Sequence, residues 1–184
     1  MPGESSYPIH YVCTHQEAKE LIDSHGTFFV SNCGCRERMG GCKQSRIDVC
    51  LIFNENFRGS GTNCRPLTKE DAYQILNEAN EKHLVTQPFR DETDQNKIAG
   101  ICFCCQCCCA YFIHPGEVCD QGNRTEFTDR DSCTNCGLCI ESCYFKARSM
   151  VEGKLEVFQD QCYGCGLCVD VCPIGMIKMK AKQR

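Results

Sequence analysis

The feature that most constrains this chain is a pair of cysteine runs near its C-terminus. Each run has the spacing Cys-x2-Cys-x2-Cys-x3-Cys. The runs consist of Cys133, Cys136, Cys139 and Cys143, and of Cys162, Cys165, Cys168 and Cys172. Such short spacings let one loop bring three thiolates around an iron–sulfur cubane. Zinc sites more often use two separated Cys-x2-Cys pairs, so the runs favour iron–sulfur clusters over zinc or a disulfide framework.

The region from about residue 125 to 180 closely resembles the bacterial ferredoxin domain that carries two [4Fe–4S] clusters. Gly137 and Gly166 lie between the second and third cysteines of the runs, where a side chain would crowd the cluster and an unusual φ is favoured. Tyr144 stands where the second run has Pro173, so the turn after the first run lacks the rigidity of proline.

The resemblance implies that the fourth cysteine of each run binds the other cluster. One cluster would then be held by Cys133, Cys136, Cys139 and Cys172, and the other by Cys162, Cys165, Cys168 and Cys143.

The composition and the motifs of the chain restrict the cellular compartment and the ligands that we expect. The chain has 21 cysteines in 184 residues and a formal net charge of −4. No secretory signal pattern is visible at the N-terminus, and the tandem runs require reduced thiolates, so we expect a cytoplasmic protein, from an anaerobe. No apolar stretch approaches the length of a membrane helix. Without a basic patch or a glycine-rich phosphate loop, we expect no nucleic acid, nucleotide or flavin.

The pattern of residues predicts two domains in an α+β chain. Residues 1–120 would form a mainly helical, cysteine-rich domain that binds metal, and residues 121–184 the dicluster ferredoxin fold. Capping boxes at Thr14 and Thr68 predict helices over about 15–24 and 68–82. A strand is predicted at 27–30, a helix beginning in 43–53, a polar loop at 86–97, a linker at 115–124 and a hairpin around Glu152-Gly153.

Ten cysteines of the front domain fall into two groups that we expect to meet and bind metal together. The groups are Cys33, Cys35, Cys42 and Cys50, and the six in residues 102–109. Residues 30–112 resemble the front domain of uncharacterised ferredoxin-like proteins of anaerobes, through the segments CGCR at 33–36, CLIF at 50–53, LTKEDA at 67–72 and ICFCCQCCC at 101–109.

Three interpretations of these cysteines stay open: a further iron–sulfur cluster, a zinc site made of thiolates, or packed and inert thiols. The candidate ligands are Cys33, Cys35, Cys42, Cys50, Cys102, Cys104, Cys105 and Cys108. The five scattered histidines are given no ligand role, and Arg36 and Arg38 are expected on a solvated loop.

These observations predict an electron carrier rather than an enzyme. Low-potential electrons would pass singly between the clusters and a partner oxidoreductase. The alternative is a redox enzyme or reductive activator that uses a special cluster, or reactive cysteines, in residues 102–109.

Overall fold

The computed structural model describes residues 9–54, 61–114 and 116–182. The helices are α1 His15–Ser24, α2 Gly34–Arg38, α3 Lys69–Glu81, α4 Ala110–Ile113, α5 Leu138–Glu141 and α6 Leu167–Asp170. The strands are β1 Phe28–Ser31, β2 Cys50–Ile52, β3 Arg65–Leu67, β4 Val85–Arg90, β5 Ile98–Cys104, β6 Arg124–Thr128, β7 Arg148–Val151, β8 Lys154–Val157 and β9 Ile177–Ala181. No helix in these ranges is long and apolar enough to cross a membrane.

The front part is built on an antiparallel sheet of five strands in the order β3-β1-β2-β5-β4. Helices α1 and α3 cover one face, where Ile22 and Ile75 pack with Leu51 and Phe103 in one buried core. The expectation of a mainly helical front domain is therefore corrected: this domain is itself α+β, with a sheet as its framework.

Both capped helices form where the sequence predicts them. The Thr14 side chain accepts a hydrogen bond from the Glu17 amide while the Glu17 carboxylate accepts from the Thr14 amide. Thr68 and Asp71 repeat the arrangement at the start of α3. These reciprocal bonds satisfy amides that a helix leaves without a partner.

Two local predictions in the front domain are wrong. Residues 43–53 contain strand β2 instead of a helix, and the first five residues of the predicted loop at 86–97 belong to strand β4. The polar Thr86 and Gln87 are nevertheless buried, because the segment around Cys13 lies along β4 and its amide donates to the Thr86 carbonyl at 3.1 Å. Pro88 is tolerated in β4 because this strand is at the edge of the sheet.

The C-terminal part has the two-fold organisation expected from the repeated runs. Its terminal strands β6 and β9 pair antiparallel, and β7 and β8 form the predicted hairpin. Glu152 and Gly153, at φ 48° and 76°, make the two-residue turn, as type I′ hairpins require. Each cysteine run contains a short helix, α5 or α6, which carries the third cysteine of the run.

Side chains join the two parts. The Arg124 side chain of β6 donates to the Glu17 carboxylate of α1 at 3.3 Å, and the His15 ring lies 3.8 Å from the Asp170 carboxylate of α6. Residues 1–8 of the predicted front domain and position 115 of the predicted linker lie outside the described residues. The division at 120/121 stays a prediction, with β6 as the first element of the C-terminal part.

Candidate metal centres

The first ferredoxin cavity brings together one complete predicted set of ligands. It is lined by Cys133, Cys136, Cys139 and Cys172, with apolar walls that include Leu155, Val171 and Ile177. The fourth cysteine comes from the other run, as the resemblance implies. Soft thiolates in an apolar enclosure are the donors that an iron–sulfur cluster requires, so these residues fit such a cluster.

The second cavity is the counterpart of the first. Its lining includes Cys143, Cys162, Cys165 and Cys168. Gly137 and Gly166 precede α5 and α6 in the left-handed region, at φ 82° and 83°. Residues with a side chain rarely adopt this conformation, which explains glycine at both positions. Ligation of metal by the eight cysteines stays a prediction.

A buried ion pair lies beside these cavities. Arg148 and Glu126 are 1% and 3% exposed and their side chains are 2.5 Å apart. The Arg148 guanidinium also donates to the Cys139 sulfur at 3.4 Å. Burial opposes the charge on Arg148, but the thiols of Cys168 and Cys139 and the Glu126 carboxylate raise its pKa. The ferredoxin part therefore carries a fixed cation between cysteines of both cavities.

The front domain contains a third, larger cavity of about 210 Å³. Eight cysteines line it: Cys33, Cys35, Cys50, Cys102, Cys104, Cys105, Cys108 and Cys109. Strand alternation aims some of them there, because side chains on a strand point to opposite faces in turn. In β5, Ile101 and Phe103 face the helices, so Cys102 and Cys104 face the cavity.

The thiols of this third cavity interact closely. The sulfurs of Cys50 and Cys102 are 3.7 Å apart. Interactions with the thiols of Cys109 and Cys33 lower the pKa of Cys35 to about 2, whereas interaction with Cys35 raises the pKa of Cys33. Several soft donors that converge in this way fit an iron–sulfur centre better than a single hard cation.

His10 is a site residue that the sequence did not reveal. Its Nε2 is 3.6 Å from the Cys102 sulfur and its Nδ1 is 2.9 Å from the Tyr111 hydroxyl. Burial lowers the pKa of His10 to about 4. If Tyr111 donates to Nδ1, the neutral ring presents an N–H to the cysteine sulfur. No local signal marks His10, which precedes Cys102 by 92 positions.

The structure brings seven of the eight predicted front-domain ligands to the third cavity. They are Cys33, Cys35, Cys50, Cys102, Cys104, Cys105 and Cys108, and Cys109 lines the cavity with them. Cys42, Cys105, Cys107 and Cys108 form a compact group, which shares Cys105 and Cys108 with this lining. Sequence reasoning missed Cys107 and Cys109, although both lie in the cysteine-rich stretch. The remaining front cysteines, Cys13, Cys64 and Cys119, belong to neither set.

Arg36 is buried and only 1% exposed, so its expected place on a solvated loop is wrong. Its guanidinium donates to the carbonyls of Arg46 and Phe103 at 2.5 and 2.8 Å. Burial opposes its charge, but the neighbouring thiols of Cys33 and Cys42 raise its pKa above the usual value. A cation thus lies beside both groups of front cysteines.

Aromatic side chains connect the front domain to the second ferredoxin cavity. Phe112 of α4 meets Tyr144 and Phe145 at ring separations of 5.7 and 5.3 Å, and Phe145 stacks on Tyr163 at 4.1 Å. Tyr144, which replaces the proline of the second run, therefore packs in this interface. The same packed cluster contains Cys104, Cys109 and Cys165.

Comparison with known proteins identifies the C-terminal part. A family profile described as a 4Fe–4S dicluster domain matches residues 126–179. This span contains all eight cysteines of the two runs, so the chain carries a ferredoxin-type domain, which indicates iron–sulfur electron transfer. A search of curated proteins gives no match.

Proposed function

We propose that the protein carries single low-potential electrons between its metal centres and a partner oxidoreductase. The observation that carries the proposal is the continuous packing between cavities. Cys165 of the second ferredoxin cavity belongs to the same cluster of packed side chains as Cys104 and Cys109 of the third cavity. A relay needs redox groups close together, and this contiguity supports a path that includes the front domain.

The chain's own residues supply what such a relay needs. Four thiolates would hold a [4Fe–4S] cluster in each ferredoxin cavity, and a bound cluster supplies a reversible one-electron couple. The protein tunes such a couple through burial, charge and hydrogen bonds to sulfur. Here Arg148 donates to Cys139, and apolar side chains such as Leu155 exclude water from the first cavity.

The first ferredoxin cavity is the better candidate for contact with a partner. Cys136 is exposed, and Leu138 and Ile174, which also line this cavity, are 48% and 43% exposed. Exposed apolar side chains around a redox site are typical of a docking surface. Electrons would therefore enter or leave here, whereas the second cavity faces the front domain.

The test is redox titration of the full chain, purified without oxygen. We expect about eight iron and eight sulfide in the ferredoxin part, and further iron for the third cavity. Reduction by one electron per centre, followed by electron paramagnetic resonance, should give low-potential signals that couple magnetically. A protein whose centres accept no electron reversibly would refute the proposed carrier function.

A second candidate function is favoured by the number of thiols in the third cavity. Eight cysteines line it, whereas one cubane uses four. Spare thiols beside a cluster could reduce a disulfide substrate or activate another enzyme. Turnover of a small disulfide, with a viologen as reductant, would distinguish this activity. A carrier would show no such turnover while its centres still titrate, and Cys35→Ser would abolish turnover in an enzyme.

A further inference from the structure

Four front-domain thiols form a compact group beside the third cavity, and two of them, Cys105 and Cys108, are part of its lining. The Cys42 sulfur is 3.5 Å from that of Cys105 and 3.6 Å from that of Cys107. The Cys105 sulfur is 3.3 Å from that of Cys107 and 3.0 Å from that of Cys108, and the sulfurs of Cys107 and Cys108 are 3.9 Å apart. All four sulfurs lie within 4.8 Å of one another.

These separations match a tetrahedron around one ion. A zinc–sulfur bond of about 2.3 Å gives sulfur–sulfur edges of about 3.8 Å in a regular tetrahedron. In a cubane each thiolate binds a different iron, so its sulfurs stand further apart. The ferredoxin cysteines provide an internal comparison: within the described residues, no other group of three or more potential ligands has its donor atoms all within 4.8 Å.

We propose that Cys42, Cys105, Cys107 and Cys108 bind one zinc ion in a structural site beside the third cavity, whose other six cysteines remain for a separate centre. Thiolates in a closed tetrahedron are the donors that structural zinc prefers. The sulfurs are too far apart for disulfides, whose bond length is about 2.05 Å. The inference does not depend on electron transfer by the protein.

The backbone around the site is arranged for thiolates. Residues 105–108 form a turn in which the Cys109 amide donates to the Cys105 carbonyl at 3.1 Å. The Gln44 amide donates to the Cys42 sulfur at 3.4 Å. Hydrogen bonds of this kind orient and stabilise a metal-bound sulfur.

The buried cation Arg36 gives independent support. Its guanidinium donates to two backbone carbonyls, and within the described ranges no carboxylate forms a salt bridge with it. Its charge interacts instead with the thiols of Cys33, Cys42 and Cys105, two of which belong to the proposed zinc site. A buried charge requires an opposite charge nearby. Four thiolates on a divalent ion carry a net charge of −2, which supplies it.

The experiment is metal analysis and zinc X-ray absorption on the full chain, produced anaerobically with zinc and iron in the medium. We expect about one zinc per chain with four sulfur neighbours at about 2.3 Å. Cobalt incorporated in place of zinc should give the intense charge-transfer absorption of a tetrahedral thiolate site. A chain without zinc, with iron in this site, or with fewer than four sulfur neighbours would overturn the proposal.

Matched variants test whether the two front sites are separate. Cys42→Ala should lower the zinc content at least tenfold and leave the iron content unchanged. Cys50→Ala, which alters only the third cavity, should leave the zinc unchanged, and Cys64→Ala should change neither metal. If Cys42→Ala does not fold, the zinc content of Cys107→Ala and the zinc X-ray absorption spectrum of the wild type test the proposal instead. Loss of iron together with zinc in folded Cys42→Ala would mean one shared polynuclear centre, and would refute the division.

Discussion

Arg148 should raise the reduction potential of the ferredoxin clusters, because a fixed cation stabilises the more negative, reduced state. Its guanidinium is 3.4 Å from the Cys139 sulfur. Two unit charges at that distance interact by about 5 kcal/mol at an effective dielectric constant of about 20. For a one-electron couple, this upper limit of the interaction energy corresponds to a shift of about 200 mV in the reduction potential. The added electron spreads over the cluster, so we expect removal of Arg148 to lower the potential by about 50–100 mV.

The variants must avoid leaving a buried charge without a partner. Removing Arg148 alone would strand the Glu126 carboxylate, and breaking a buried pair in this way costs about 3–5 kcal/mol of folding stability. We therefore compare Arg148→Gln/Glu126→Gln with Glu126→Gln alone, in which Arg148 keeps the sulfurs of Cys168 and Cys139 as partners, so that only the cation differs. Lys154→Gln is the control, because it removes the same charge from an exposed residue at the start of β8.

Anaerobic titration followed by electron paramagnetic resonance gives the potentials of these proteins. At least the cluster held by Cys139 should have a lower reduction potential in Arg148→Gln/Glu126→Gln than in Glu126→Gln. Lys154→Gln should stay within about 20 mV of the wild type, because surface charge is screened. Equal potentials in the two Glu126 variants, or a rise on loss of Arg148, would refute the reasoning.

Three further changes test the framework that positions the sites, each by chemical denaturation without oxygen. Thr68→Ala should lower the free energy of unfolding by about 1 kcal/mol through loss of the α3 cap, whereas Thr68→Ser should change it little. Gly100→Ala should cost about 3 kcal/mol or more, because its new Cβ would lie 2.1 Å from the Leu51 carbonyl oxygen; a cost under about 1 kcal/mol would contradict this close approach. Tyr144→Ala should lower the free energy of unfolding by about 2 kcal/mol, because it removes the half-buried aromatic ring that packs against Phe112. Tyr144→Phe keeps the ring and should retain most of this stability. Equal losses in both variants would count against packing as the cause.

Local patterns sufficed for the elements that local interactions specify. Capping boxes gave the starts of α1 and α3, and the Glu152-Gly153 pair gave the hairpin, because turn and cap chemistry involves residues only a few positions apart. The two cysteine runs likewise predicted which side chains the structure collects around each ferredoxin cavity.

The errors arose where distant segments decide the structure. Thr86 and Gln87 suggest a loop because they are polar, but the N-terminal segment covers β4 and buries them. Arg36 was expected in solvent, yet groups from residues 42 to 105 surround it. His10 reaches Cys102 only through the sheet, so periodicity within a short window could not have found it. The alternation Ile-Cys-Phe-Cys at 101–104, by contrast, was an available signal for β5.

On the proposed assignment, the unusual density of cysteines at 102–109 follows from two sites that share one turn. Strand β5 aims Cys102 and Cys104 at the third cavity, and the turn at 105–108 then points three thiols to the side where Cys42 lies. The turn closes through the bond between the Cys109 amide and the Cys105 carbonyl, and this bond returns Cys109 to the third cavity. On the proposed assignment, a zinc ion in the turn fixes the backbone between Cys104 and Cys109. The zinc ion would thereby also hold Cys104 and Cys109, which line the third cavity, in place. A stretch with fewer cysteines could not supply ligands to both sites.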